Sequence, residues 1–196
     1  GVIVANGICP RYSDIDAYAM AANAIDEAIR NVIAVGGRLG HLAGLDNFCW
    51  PDPITSPSNP DGPYKLAQLV RANQALYDYC KAYGVPCISG KDSMKNDYHV
   101  GDTKISVPPT LLFSVLARMP DVRQAVTMDA KQPGDLVFLL GETREELGGS
   151  EYYALNGAIG NGVPQVDAAR ARALYEALAG AMEQRFVNAC HDCSDG

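Results

Sequence analysis

The residues best suited to chemistry lie between Ser89 and Met94, where a glycine, a lysine, a carboxylate and a hydroxyl follow one another. The apolar run before them predicts a strand, so Gly90 and Lys91 would stand in a turn at its end. Such a turn offers free backbone N–H groups, and the lysine can neutralise oxyanions without adding bulk. The stretch therefore suggests phosphate binding, although an ordinary surface turn explains it more simply when it is taken alone.

Three further groups of polar residues could act together with this stretch. Glu27 and Asn31 are four residues apart on a predicted helix, so they share a face and offer the oxygen ligands that Mg²⁺ prefers. Asp46 and Asn47 follow a predicted strand, and the segment 191–196 carries two carboxylates and a hydroxyl. A solvated helix face, a turn and an Asx-type helix cap are the respective structural alternatives. Together in one acidic chain, these groups indicate a binder of Mg²⁺ and phosphate.

Alternating helices and strands would position these groups, which indicates an α/β or α+β class. Ser13, Asp14 and Asp16 are candidate N-caps of the first helix. Hydrophobic periodicity and turn signals predict helices over 11–36, 64–83 and 167–184, and strands over 42–45, 85–89, 104–107, 110–118, 136–140 and 186–189. The predicted apolar sides are Leu66, Leu69, Val70, Leu76 and Tyr77 for the second helix, and Ala173, Leu174, Ala177, Leu178 and Ala181 for the third.

Composition narrows the class of protein. The 196 residues are 47% hydrophobic and 20% charged, enough for one large or two small globular domains. A formal net charge of -7 argues against broad nucleic-acid binding, which needs a basic surface. No apolar run has membrane-spanning length and no leader opens the chain, so we expect a cytoplasmic protein.

The six cysteines are irregularly spaced, which favours reduced thiols over a disulfide framework. Cys190 and Cys193 form a C-x-x-C pair, but without a second pair they make a poor zinc site. A redox role for this pair is the weaker alternative, because no thioredoxin-like context surrounds it.

Several stretches, in their order and spacing, resemble the phosphoribosylformylglycinamidine synthase family of purine biosynthesis. The chain is similar to part of the second of the two homologous halves of the synthetase region, beginning inside one domain and ending inside the next. The matching stretches are Ala24–Asn31, Leu45–Trp50, Ser89–Met94, Pro108–Leu111, Leu147–Tyr152 and His191–Gly196.

This resemblance implies an aminoimidazole-ribonucleotide-synthetase-like fold of two α/β domains, truncated at both ends. We place an incomplete N-terminal domain over 1–125 and the beginning of the C-terminal domain over 126–196. Strands of the other half would join those of the first domain in a barrel-like interface. Because that half is missing, we expect 104–107 and 110–118 to form exposed edges through which the chain self-associates as a homodimer.

The resemblance also implies the reaction. Formylglycinamide ribonucleotide, ATP and glutamine-derived ammonia would give formylglycinamidine ribonucleotide. A glutaminase domain or subunit and the other synthetase half would be partners, together with small-molecule nucleotide substrates. Because the residues of those parts are absent, we expect the isolated chain to have no synthetase activity.

The family's site residues carry over to particular positions. Glu27, Asn31 and Asp192 match Mg²⁺ ligands of an auxiliary nucleotide cleft, in which the family holds ADP or ATP, and Ser194 matches a nucleotide contact there. For the catalytic cleft, the ATP contacts are Asp46 and Gly90, the metal-associated position is Lys91 and the substrate contact is Ser93.

One departure concerns the metal-associated position. The small-subunit form of the family carries Asn where this chain has Lys91, and a charged lysine cannot ligate Mg²⁺, so a direct phosphate contact is expected instead. Two alternatives to the ligase remain. One is another ATP-dependent enzyme of the same superfamily, and the other is a structural module whose nucleotide only stabilises a domain interface.

Overall fold

A four-stranded mixed sheet covered by helices on one face is the centre of this computed structural model, which describes residues 1–194. The sheet order is β1-β6-β2-β3, and β4 pairs with β5 in a separate hairpin. The strands are β1 (Val2–Ile8), β2 (Leu42–Cys49), β3 (Cys87–Ser93), β4 (Asp97–Val100), β5 (Thr103–Ser106) and β6 (Thr110–Arg118). The α-helices are α1 (Ala17–Ala34), α2 (Gly62–Tyr83), α3 (Glu151–Leu155) and α4 (Ala168–Glu183), with 3₁₀ turns at Pro10–Asp14 and Val122–Gln124.

The sheet has one buried and one open face. β6 runs antiparallel between β1 and β2, and β2 pairs with β3 in parallel. Since successive side chains alternate between faces, Phe48 and Phe113 point toward the helices and are almost fully buried. Val2 and Val4, on the opposite face of β1, are each 71% exposed.

The central helix α1 follows from its sequence. Asp16 caps it as predicted, since its Oδ1 accepts hydrogen bonds from the N–H groups of Tyr18 at 2.8 Å and Ala19 at 3.3 Å. Met20 and Ile25 of its apolar stripe are completely buried against the sheet. The helix ends at Ala34, just before the predicted stop at the two glycines 36 and 37.

The predicted apolar side of α2 is confirmed only in part. Leu69 and Leu76 pack against the core, whereas Leu66, Val70 and Tyr77 are 48%, 62% and 60% exposed. Ala72 and Ala75 are completely buried, because α2 packs on the alanine-rich α1 and small residues let the two helices approach closely.

Polar residues form hydrogen bonds at the N-terminal end of α2. The buried Lys65 donates from Nζ to Asn59 at 2.9 Å and to Asp61 at 3.0 Å. Trp50, also buried, donates from Nε1 to the Lys65 carbonyl at 2.9 Å. These bonds tie the proline-rich loop 51–63 to the end of β2 and to α2.

Other sequence predictions differ from the structure. β2 is longer than 42–45, β3 continues through the predicted turn, and β1 and β4 were not predicted. The run Leu136–Leu140 is exposed and is not a strand, while of 186–189 only Ala189 forms a bridge, to Thr127. On α4 the buried residues are Tyr175, Ala179 and Met182, whereas the predicted Ala173 and Ala177 are exposed.

The expected edge at 110–118 is also wrong, because β6 has a partner on both sides. The edges of the sheet are β1 and β3 instead. A homodimer through β6 therefore lacks an unpaired strand, whereas the other strand of that prediction, β5, pairs with β4 alone and keeps an open edge.

Helix α4 packs on α1 and α2. The Tyr175 ring stacks on Tyr83 of α2, with centroids 6.3 Å apart. Of the helices in the described part of the chain, none is long and apolar enough to cross a membrane.

Candidate functional site

The first candidate site is a cleft of about 230 Å³ beside α1. Glu27 of α1 and Ser194 from the far end of the chain both line it, so the fold brings these two predicted residues together. The Glu27 carboxylate accepts a hydrogen bond from the Ile8 N–H at 2.8 Å, which fixes it at the end of β1. Two residues of the predicted motif at 191–196, Asp195 and Gly196, lie outside the described residues.

A second carboxylate, that of Asp192, faces the same region. Burial raises the pKa of Glu27, and the negative charge of Asp192 raises it further, against the lowering effects of the Ile8 N–H and of Arg30. The Asp192 side chain is only 4% exposed, and its Oδ2 has no hydrogen-bond partner among the described residues. Two neighbouring carboxylates, one of them with a buried oxygen that accepts no hydrogen bond, form a place that attracts a cation.

Arg30 supplies part of the positive charge that these carboxylates attract, and the sequence did not predict it as a site residue. Its Nη2 lies 3.6 Å from Oδ2 of Asp192, and its Nη1 pairs with Asp26 one turn earlier on α1. The four-residue spacing of Asp26 and Arg30 was the available signal. The guanidinium therefore balances part of the negative charge beside Glu27.

Asn31 lies on the β1 side of α1. Its Nδ2 donates to the Asn6 carbonyl of β1 at 3.4 Å, which leaves the amide oxygen as the atom suited to a cation. Within residues 1–194 no cluster of three or more His, Cys, Asp or Glu side chains could hold a metal ion. The predicted Mg²⁺ ligands include only two residues of these types, Glu27 and Asp192, with the Asn31 amide as the third, so this set stays a prediction.

A buried network of hydrogen bonds lies beside this cleft and is centred on Asp26. Asp26 accepts hydrogen bonds from the hydroxyls of Tyr83 and Tyr175, the latter at 2.8 Å. Burial and the charge of Asp26 raise the pKa of both tyrosines. The network joins α1, α2 and α4, and through Arg30 it reaches Asp192.

The second candidate site lies on β2 and β3, with Asp46 directly across from Gly90. A Cβ atom at Gly90 would lie 2.5 Å from Oδ1 of Asp46, so a larger residue here would force the Asp46 carboxylate to move. Burial raises the pKa of Asp46, and the charge of Asp92 adds to the effect. The pair places a carboxylate against bare backbone at an edge strand.

Lys91 and Ser93 lie on the other face of β3, because side chains alternate along a strand. Lys91 Nζ donates to the Ser93 hydroxyl. The structure therefore brings Asp46 to Gly90 and Lys91 to Ser93, but it does not bring all four side chains to one face. This separation arises because the predicted turn is a strand.

The two candidate sites lie at opposite edges of the sheet. Glu27 is held against β1, and Gly90 lies on β3, which are the outer strands of the order β1-β6-β2-β3. This arrangement can serve two separate ligands and cannot form one continuous site across β1 and β3.

Comparison with known proteins adds a family to this geometry. Residues 2–108 match the family model described as AIR synthase related protein, N-terminal domain. The chain is 33% identical to the phosphoribosylformylglycinamidine synthase subunit PurL of Streptomyces avermitilis over 197 residues, covering 100% of this chain and 24% of that protein. It is 34% identical to the subunit of the same name from Thermococcus sibiricus over 187 residues, covering 95% and 24%.

Solved structures show the same fold. Phosphoribosylformylglycinamidine synthase II from Thermotoga maritima matches with a TM-score of 0.50 and 22% identity, over 66% of this chain and 19% of that one. A structure of T. maritima PurL complexed with AMPPCP matches with a TM-score of 0.50 and 23% identity, over 65% and 19%. The chain spans about a quarter of the length of the curated relatives it matches.

Proposed function

The chain belongs to the family of AIR synthase related proteins, matching its N-terminal domain, and on that premise we propose that it is part of an ATP- and glutamine-dependent ligase. The resemblance to phosphoribosylformylglycinamidine synthase and the AIR-synthase-like α/β class are both confirmed. The proposed reaction converts formylglycinamide ribonucleotide to formylglycinamidine ribonucleotide. Because the chain spans only about a quarter of its relatives, it would act with the remaining synthetase region and a glutaminase domain or subunit, in the cytoplasm.

The pairing of Asp46 with Gly90 across β2 and β3 is the observation that carries this proposal. The Asp46 carboxylate occupies the space beside Gly90 and can accept a hydrogen bond from the nucleotide. On the other face of β3, the ammonium of Lys91 would stabilise charge on a transferring phosphoryl group, and the Ser93 hydroxyl would orient the ribonucleotide.

Glu27, Asn31 and Asp192 would hold Mg²⁺ in the auxiliary cleft, with Ser194 at the nucleotide. The buried Asp192 carboxylate supports this assignment, because its Oδ2 accepts no hydrogen bond and only the Arg30 guanidinium, 3.6 Å away, balances its charge. The metal would supply positive charge to the phosphates of a bound ADP or ATP. Arg30 would keep Asp192 in place while the cleft is empty.

Replacing Lys91 in the full-length parent tests the proposal. We expect Lys91→Ala to lower turnover by about 10²-fold or more, the effect of losing a group that stabilises developing charge, with an unchanged melting temperature. Lys95→Ala is the matched control, since that lysine is also exposed and lies just beyond β3. Normal turnover with a lowered melting temperature would instead support the structural alternative.

The chain alone provides a second test. We expect no amidine formation from it, since the missing parts supply the ammonia and the rest of the catalytic cleft. Measurable turnover by the isolated 196-residue chain would contradict this division of labour.

The structural alternative has one specific observation in its favour. The Glu27 cleft is linked to the buried network of Asp26, Tyr83 and Tyr175, so a nucleotide bound there would stabilise the packing of three helices. Nucleotide released on denaturing the purified chain, together with a higher melting temperature in Mg-ADP, would identify a working auxiliary cleft. Absence of both results would assign this cleft to the assembled parent only.

A further inference from the structure

Two cysteines outside both candidate sites face each other at close range. The sulfur atoms of Cys80 and Cys87 are 3.7 Å apart, one near the end of α2 and the other at the start of β3. A tight connection holds them there, because the Val85 N–H donates to the Cys80 carbonyl at 2.9 Å. Gly84, in the left-handed region at a φ of 70°, makes the turn possible.

The pair is accessible to small reagents. Cys87 is exposed and Cys80 is half-buried. Both line an open groove of about 600 Å³ between the end of α2 and the start of β3. Lys81 also lines this groove, so it offers a positive charge to an anionic reagent. A small disulfide-containing molecule can therefore reach Cys87 without unfolding of the chain.

We propose that Cys80 and Cys87 form a thiol modification site, which is converted to an intramolecular disulfide by a low-molecular-weight disulfide such as oxidised glutathione. The Cys87 thiolate attacks one sulfur of the reagent, forming a mixed disulfide and releasing one thiolate. The Cys80 thiolate then attacks the Cys87 sulfur and releases the second thiolate. Two protons leave the cysteines, and two electrons reduce the reagent to two thiols.

The order of attack follows from the surroundings of the two sulfurs. Burial raises the pKa of both thiols, and the negative charge of Asp46 adds to it in each case. Cys80 is the more deeply placed, so Cys87 has both the better access and the larger thiolate fraction. Cys80 therefore acts as the resolving cysteine.

The pair is close enough for the bond to form. The sulfurs must approach from 3.7 Å to about 2.05 Å, a distance that rotation of the two cysteine side chains can cover.

Equilibration of the folded 196-residue chain in mixtures of reduced and oxidised glutathione tests the inference. After acid quenching, the remaining thiols are alkylated and counted, and crosslinked peptides are mapped by mass spectrometry. We expect the loss of two of the six thiols, a Cys80–Cys87 crosslink, and recovery of both thiols with dithiothreitol.

Two variants make the result specific. In Cys87→Ser no crosslink to Cys80 should form, whereas Cys49→Ser should still form the Cys80–Cys87 crosslink. The circular dichroism of each variant establishes that it is folded. A mixed disulfide that remains on Cys87 without a crosslink, or a crosslink formed only in denaturant, would overturn the proposal.

Discussion

At the scale of single residues, the structure explains two identities that the sequence presents without a reason. Gly90 is a glycine because the Asp46 carboxylate occupies the space of a Cβ. Arg30 is an arginine because it pairs with Asp26 and Asp192 at once. The first could be predicted as a site residue from its neighbours, whereas the second depends on a contact across most of the chain.

A methyl group at Gly90 should disturb the second site. We expect Gly90→Ala to cost about 1–3 kcal/mol of stability, because the new Cβ collides with the Asp46 carboxylate. Gly180→Ala is the control, since nothing lies within 4 Å of a Cβ there and alanine favours the helix. Chemical denaturation measures both; equal stability of the two variants would exclude the collision.

Removal of the Arg30 charge should lower the free energy of unfolding substantially. We expect Arg30→Met to destabilise the chain by about 3–5 kcal/mol, because it leaves Asp26 and Asp192 buried without their cation. Arg38→Met, which breaks an exposed pair with Glu183, should cost at most about 1 kcal/mol. Urea unfolding of both variants decides, and a small loss for Arg30→Met would show that the network tolerates the missing charge.

The free energy of unfolding should depend on pH through the ionisation of Asp46. Its pKa in the folded chain is raised above the ordinary value of 3.8, so the folded state holds the proton more tightly and stability falls as pH rises through that window. Asp46→Asn should remove this fall and gain stability relative to the unmodified chain as the pH rises above the ordinary value of 3.8. Thermal unfolding across this range measures the difference, and a constant difference would contradict the burial of Asp46.

At the scale of elements, hydrophobic periodicity predicts the buried stripe of α1 and only part of that of α2. The apolar stripe of α1 faces the sheet, so its helix and its Asp16 cap are predicted from sequence. The contact of α2 uses Ala72 and Ala75, and a hydrophobicity pattern does not distinguish those residues from exposed alanines. The polar residues of β3 predict a turn from sequence. They form a strand instead, because an edge strand need not be apolar.

The alanine contact between α2 and α1 can be tested directly. We expect Ala72→Leu to cost about 1–3 kcal/mol, because the side chain has no room against α1. Val70→Ser, on the exposed side, should stay within about 0.5 kcal/mol of the unmodified chain. Denaturant melts of both variants give the comparison; the reverse order of costs would restore the face predicted from sequence.

At the scale of the whole molecule, the features that depend on contacts between distant residues could not be predicted from the sequence. The family, the class of fold and the grouping of Glu27 with Ser194 followed from motifs and their order. The network on Asp26 did not, because its two tyrosines are 57 and 149 residues away in sequence. The placement of the two candidate sites at opposite edges of one sheet likewise required the strand order.

The buried Trp50 gives the chain an optical reporter. It is the only tryptophan, it is fully enclosed, and its indole N–H bonds to the Lys65 carbonyl. Its fluorescence should therefore be blue-shifted and shielded from iodide in the folded chain, and should shift to the red when the proline-rich loop separates from α2. Excitation of the ten tyrosines would feed the same emitter, so a single spectrum could follow the loosening of this corner without any added dye.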